Sequence, residues 1–156
     1  MHAAPWSRSL VVISAVVSVL MTAIPVSIVV SDRGPWGAAL IPVALVIGCA
    51  LFLIRGYTVE AGGLRIHRLL WTHRIPLEGL QEVRWNPEAM RGSVRLFGNG
   101  GVFSFSGLFW NRKLGKYRAF VTDPRRAVVL RLSRRTVVVS PADPEAFVRE
   151  VQGVVR

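Results

Sequence analysis

Two long apolar runs occupy the first third of the chain: LVVISAVVSVLMTAIPVSIVV from Leu10 to Val30, and WGAALIPVALVIGCALFLI from Trp36 to Ile54. Neither contains a formal charge. About 20 apolar residues at 1.5 Å rise cover a hydrocarbon core of roughly 30 Å, and both runs meet that length. The pattern predicts a transmembrane helical hairpin with spans at 10–30 and 36–54, a short N-terminal segment at 1–9 and a polar turn at 31–35. Pro25 and Pro42 are expected to kink the helices locally, which a membrane tolerates when neighbouring groups satisfy the freed carbonyls. A cleaved signal peptide would use Arg8 as its charged start, but its apolar stretch runs only about 7–15 residues. No Ala-x-Ala site follows here, and a second apolar run comes at once. A hairpin buried in a soluble protein would show one apolar stripe, whereas these segments are apolar all round.

Charge is segregated along the chain. Of 20 Lys+Arg and 9 Asp+Glu, residues 1–54 hold only Arg8, Asp32 and Arg33, so nearly all of the +11 net charge lies beyond them. Lys and Arg near span ends set orientation. The turn offers Arg33 beside Asp32, while the exit from the second run offers Arg55, Arg65, Arg68 and Arg74. Both termini are therefore expected in the cytoplasm, the chain being a multi-pass protein of the inner membrane with 31–35 outside. Cys49 is the only cysteine, which excludes an intramolecular disulfide and a thiol-based metal cluster.

Residues 55–156 are enough for one compact domain. Their signals are mostly of period two. Tyr57–Glu60, Leu64–Arg68, 71–76, 80–85, 93–97, 102–106, 117–122, 127–132 and 135–139 read as strands. Ala61-Gly62-Gly63 supplies the positive φ of a tight hairpin. The end of the chain changes period. Ser140 reads as an N-cap, Pro141 as the first helical residue and Asp143 as an acid in the first turn. Phe147, Val151 and Val155 then recur every four residues along a helix at about 141–152. The expectation is about seven or eight antiparallel strands closed by one amphipathic helix.

Two apolar runs, a Tyr-x-Val strand, a glycine hairpin and Ile75-Pro76-Leu77 with Leu80 follow one another in an order that resembles the bacterial pleckstrin-homology (PH-like) domain proteins. FGNGGVFSFSGLF (97–109), Leu114-Gly115-Lys116-Tyr117 and Asp143-Pro144-Glu145 with Phe147 look like the centre and closing helix of that family. The resemblance covers about residues 56–152. It implies a mainly-β fold of two nearly orthogonal antiparallel sheets, one open end plugged by the C-terminal helix, and its motifs are structural rather than catalytic.

The glycine-phenylalanine stretch is not a nucleotide loop. Gly115-Lys116 is followed by Tyr117 rather than Ser or Thr, and Phe103 stands where a dinucleotide fingerprint needs glycine. Gly98, Gly100 and Gly101 permit a bulge between two strands. Phe103 and Phe105 alternate with Ser104 and Ser106, placing both rings on one face, expected to be core. Around the stretch, from Ala89 to Thr122, there is no acidic residue, yet Arg91, Arg95, Arg112, Lys113, Lys116 and Arg118 all fall there. These six are the candidate contacts for anionic phospholipid headgroups or an acidic partner, set against a plain solvated face in an arginine-rich chain. Phosphoinositide-binding PH domains place basic residues beside the first hairpin loop. Here that loop is Ala61-Gly62-Gly63, with Arg65 the nearest cation, a departure from the pattern.

Catalytic signatures are missing. His2, His67 and His73 form no His-Glu-x-x-His, and Ser104 and Ser106 lack a nucleophile elbow. Glu60, Glu78 and Glu82 near His67 and His73 read as surface polarity. A basic domain with Trp71, Trp85 and Trp110 has the electrostatics of a nucleic-acid binder, but no helix-turn-helix or ribonucleoprotein motif accompanies it. The expected role is a non-enzymatic, membrane-anchored interaction or assembly module without cofactor or metal. Its partners would be the bilayer, itself through strand edges, or other membrane proteins. Recognition of anionic headgroups is the alternative, and nucleic-acid binding a distant third.

Overall fold

The computed structural model describes residues 1–31 and 40–155. Among the described residues ten strands form two sheets. The first has the order β1 (His2–Ala3), β2 (Ile54–Glu60), β3 (Gly63–Arg68), β4 (Thr72–Pro76) and is antiparallel throughout. The second joins β5 (Leu80–Trp85), β6 (Val94–Val102), β7 (Ser104–Asn111), β8 (Gly115–Val121), β9 (Val128–Leu132) and β10 (Thr136–Val139) in the order β5-β9-β10-β8-β7-β6. Gly62, at φ 76°, makes the β2–β3 turn as its sequence requires.

One pairing departs from the antiparallel expectation. β10 lies between β9 and β8 and runs parallel to β8, Thr136 opposite Tyr117 and Val139 opposite Phe120. Val137, Val138 and Val139 are all buried, so this central strand faces packed side chains on both sides, and its unbroken valine run follows from that. Ser140 closes the pair: its Oγ accepts the amides of Thr122 at 2.8 Å and Asp123 at 3.3 Å. Ser140 is therefore a buried clamp and not a helix cap. The cap is Asp143, whose Oδ1 accepts from Ala146 N at 2.9 Å, and helix α3 runs over Pro144–Val155 with Pro144 at its start.

Hydrophobic burial falls on both faces of the larger sheet. Ile54, Tyr57, Leu64, Ile66, Ile75, Leu77, Val128 and Leu130 fill the space between the sheets, closed by Phe147 and Val151 one helical turn apart on α3. Phe109, Tyr117, Ala119, Val121, Val129 and Val138 form a second cluster on the opposite face, covered by Ala89 and Met90. Of the two phenylalanines expected in the core, Phe105 packs on that second cluster. Phe103 instead makes the β6–β7 turn at φ 61° and tilts against Trp6. Sequence expectation also broke β6 at the glycines. The strand runs through them, bulged between Arg95 and Phe97 and between Gly100 and Val102.

The N-terminus belongs to the β-domain. His2 and Ala3 pair with Tyr57 and Gly56, Ala142 N donates to the Ala3 carbonyl, and the His2 ring packs edge-on against Phe147. Helix α1 (Arg8–Ser31) starts at Ser7, whose Oγ accepts from Leu10 N. Leu10 and Ser14 are buried against the domain, while Val12, Val16, Val19 and Leu20 are exposed. The Arg8–Ser27 portion has a mean hydropathy of 2.4 and is the only helix among the described residues long and apolar enough to cross a membrane. Helix α2 (Leu40–Leu51) is a shorter apolar helix. The expected polar turn at 31–35 and the start of the second run lie largely outside the described residues. Ile54, expected at the end of that run, is the fully buried first residue of β2.

Candidate functional site

Leu64, Ile66 and Arg68 occupy alternate positions on β3, and all three point inward. Arg68 is the one cation on that face and is only 8% exposed. Its Nη2 donates to Ser106 Oγ at 2.7 Å and its Nη1 to the Phe52 carbonyl at 3.2 Å. The guanidinium lies over the rings of Phe52, Phe120 and Trp71, at 5.1, 5.4 and 5.7 Å from their centroids, within cation–π range. Burial pulls its pKa down, with nearby Tyr57 acting the other way, yet a guanidinium keeps its proton. Among the described residues, no ion pair includes Arg68.

Arg68 forms the inner wall of a crevice of about 400 Å³ between β4 and the β6–β8 face. Phe52, Trp71, Phe97, Leu108 and Phe120 give it apolar walls, and Arg118 and His73 add polar ones. His73 stands opposite Ile66 on β4, its ring 5.5 Å from that of Phe120. Partial burial, then Arg68, Arg118 and Arg135, hold its pKa below the usual histidine value, so the ring is neutral at neutral pH. Arg118 stands opposite Leu108 on the neighbouring strand.

Gly98 and Gly107 face each other directly across β6 and β7, at φ 105° and 147°. A Cβ on either would collide with the backbone of the other strand. This close approach is what the glycines of the FGNGG and SGLF segments provide, and it shapes the crevice wall. The rim is apolar. Trp71, in the β3–β4 loop, is 41% exposed, and Phe97, on the edge strand β6, is 79% exposed.

Both helices meet the domain beside this crevice. The Phe103 amide donates to Ser14 Oγ of α1 at 2.8 Å, and the next residue, Ser104, donates through Oγ to the Phe52 carbonyl just after α2 at 3.0 Å. The helix carbonyls at a C-terminus lack intrahelical partners, and Arg68 and Ser104 supply partners to the chain leaving α2.

Of the six cations singled out from sequence, Arg118 alone lines the crevice. Lys116 lies two residues before it on the same face of β8. Arg112 and Lys113 sit in the β7–β8 turn, where Asn111 Oδ1 accepts the amides of Lys113 and Leu114 at 3.0 and 2.8 Å. Arg91 is paired with Glu88 at 2.9 Å, and Arg95 Nη1 donates to the Gly98 carbonyl at 3.3 Å. The six do not converge on one site. From sequence, Arg68 belongs to the flank of the second span, His73 to the polar surface and Trp71 to a nucleic-acid surface, and none of them is joined with Phe52, although the alternation that places Leu64 and Ile66 inward places Arg68 inward too. The histidine-carboxylate cluster does not assemble either. His67 bonds Thr58 at 2.9 Å, Glu60 pairs with Arg65 and Glu82 with Arg84. Among the described residues no group of His, Cys, Asp and Glu has metal-ligating geometry.

No curated protein and no solved structure matches the chain. The family description "Bacterial PH domain" matches residues 55–155, which takes in all the strands after β1 except Ile54, together with the closing helix. Two packed sheets, a closing helix and this match over most of the chain agree, and the protein belongs to the bacterial PH domain family.

Proposed function

We propose that this protein is a non-enzymatic interaction module held at the cytoplasmic face of the inner membrane by a two-helix hairpin. The supporting observation is topological. His2–Ala3 and Ile54–Glu60 are neighbouring strands of one sheet, so the chain between them must leave the domain and return to the same side. A continuous path through a bilayer then crosses it an even number of times, with α1 as one pass and the apolar run 36–54, which contains α2, as the other. Cleavage after α1 would remove a strand that is paired within the sheet, which disfavours a signal-peptide role. Arg55, Arg65, Arg68 and Arg74 follow the second helix, as a cytoplasmic flank should.

The basic turn fits a soluble acidic partner better than a lipid surface. Ser104 adjoins the point where both helices dock, and Asn111 lies at the other end of the eight-residue strand β7. At about 3.3 Å per residue the turn stands roughly 25 Å away, about three Debye lengths at physiological salt. Self-association has a different surface: β6 is an edge strand carrying exposed Leu96 and Phe97. Alkaline carbonate extraction tests the anchoring. The full chain is expected to stay in the membrane pellet, and its release with peripheral proteins would overturn this reading.

A further inference from the structure

The crevice carries positive charge that nothing in the described chain answers. Arg68 is buried in it, Arg118 lines it, and Arg135 acts with both on His73. Among the described residues none of the three arginines has a carboxylate within 4.0 Å. Taking an ion out of water costs several kcal/mol, and a guanidinium cannot escape the cost by losing its proton. Two hydrogen bonds and three ring faces offset part of the cost, but they bring no opposite charge.

The walls specify the other half of a ligand. Trp71, Phe97 and Leu108 flank the arginines, and Phe97 is 79% exposed at the mouth. A simple inorganic anion would neutralise the arginines and leave these side chains wet. A neutral apolar molecule would cover the walls and leave the arginines uncompensated. Only an anion with an apolar tail satisfies both. The crevice also lies beside Phe52, immediately after α2, where lipid is at hand if the helices span the bilayer.

We propose that this crevice binds the phosphate of an anionic membrane lipid. Arg68 and Arg118 hold the phosphate oxygens, and Trp71, Phe97 and Leu108 pack on the glycerol and the first acyl carbons. The proposal rests on the membrane-anchored reading for its supply of ligand. A space of about 400 Å³ takes the headgroup and upper chain, with the rest of the acyl tail left in the bilayer. The site is separate from the first hairpin loop at Ala61-Gly62 and from the basic β7–β8 turn.

The test uses the full chain in nanodiscs of phosphatidylcholine, titrated with dihexanoyl phosphatidic acid, dihexanoyl phosphatidylcholine or inorganic phosphate. Binding is read from the His73 ring resonance. The phosphatidic acid is expected to shift that resonance saturably, about tenfold more tightly than either control. Arg118→Gln, at an exposed position, is expected to weaken binding about tenfold without lowering the melting temperature. The double variant Arg112→Glu/Lys113→Glu removes more charge but lies outside the crevice, and is expected to change binding less than about threefold. Equal binding of inorganic phosphate would overturn the lipid assignment. Equal binding of phosphatidylcholine would overturn the charge assignment. An equal loss in the double variant would reduce the effect to diffuse electrostatics. A chain that inserts into the discs and shows none of this selectivity refutes the crevice site while leaving the anchoring intact.

Discussion

Arg68 Nη1 donates to the Phe52 carbonyl at 3.2 Å, so a cation from the β-domain secures the backbone just where the second helix ends. The same guanidinium reaches Ser106 at 2.7 Å, bridging the two sheets at the crevice. Arg68→Ala orphans both acceptors and opens space among three aromatic rings. A loss of about 1.5–3 kcal/mol for each of the two bonds is expected in denaturant unfolding of the full chain, the usual worth of a hydrogen bond from a charged donor. Arg68→Lys should fail to restore it, since an ammonium lacks the planar fork that spans both acceptors. Full rescue by Lys would contradict the bridging role.

Tyr57 ties three strands together. Its hydroxyl donates to the Phe120 carbonyl at 2.6 Å and accepts from Ser140 N at 3.2 Å. Tyr57→Phe keeps the ring but leaves both backbone groups buried without that partner, a cost of about 1–3 kcal/mol. Burial pushes the phenol up to about 12. The raised value means that stability is whole below the unfolded phenol's pKa near 10 and is lost as pH rises through about 12. Ultraviolet absorbance at alkaline pH should show both tyrosines ionising late, since burial raises Tyr117 as well, with the ionisation of Tyr57 arriving together with unfolding.

His73 gives the opposite dependence. Its pKa is held below the ordinary value of 6.5 by burial and then by Arg68, Arg118 and Arg135. The unfolded chain therefore takes up the proton first, and stability declines as pH falls below about 6.5 until the folded-state pKa is passed. His73→Gln should flatten that part of the pH–stability profile, measured by thermal unfolding.

Gly98 and Gly107 admit no side chain, since each would place a Cβ against the other strand's backbone at a positive φ. Gly107→Ala is expected to destabilise by about 1–3 kcal/mol, the usual cost of overpacking. It should also move the His73 resonance, since both residues line the crevice. Gly115→Ala is a useful contrast, because a Cβ there meets nothing and only the backbone conformation is strained.

Period-two patterning located most of the strands, and the i, i+4 recurrence of Phe147 and Val151 located the last helix. What local pattern missed was set by long-range pairing. The strand at His2–Ala3 is too short to show periodicity and exists because Tyr57 and Gly56 offer an edge to it. Ser140 has the sequence context of a helix cap, but two amides at the end of β8 claim its hydroxyl before the helix begins. The Val137-Val138-Val139 run, which does not alternate, signals burial on both faces of β10 but not its parallel pairing with β8. The crevice was half legible. Arg68 sits in phase with Leu64 and Ile66, but only the fold brings it to Arg118, fifty residues later in the chain.

The claim on which most depends is that the helices leave the β-domain, cross the bilayer and return to it. Single cysteines placed at Gly34 and at Ser133, in a chain carrying Cys49→Ala, test it in intact cells with a membrane-impermeant maleimide. Labelling of the Gly34→Cys protein alone, with Ser133→Cys reacting only after lysis, is the predicted result. Labelling of Ser133→Cys from outside, or failure of both sites to distinguish intact from lysed cells, would contradict it.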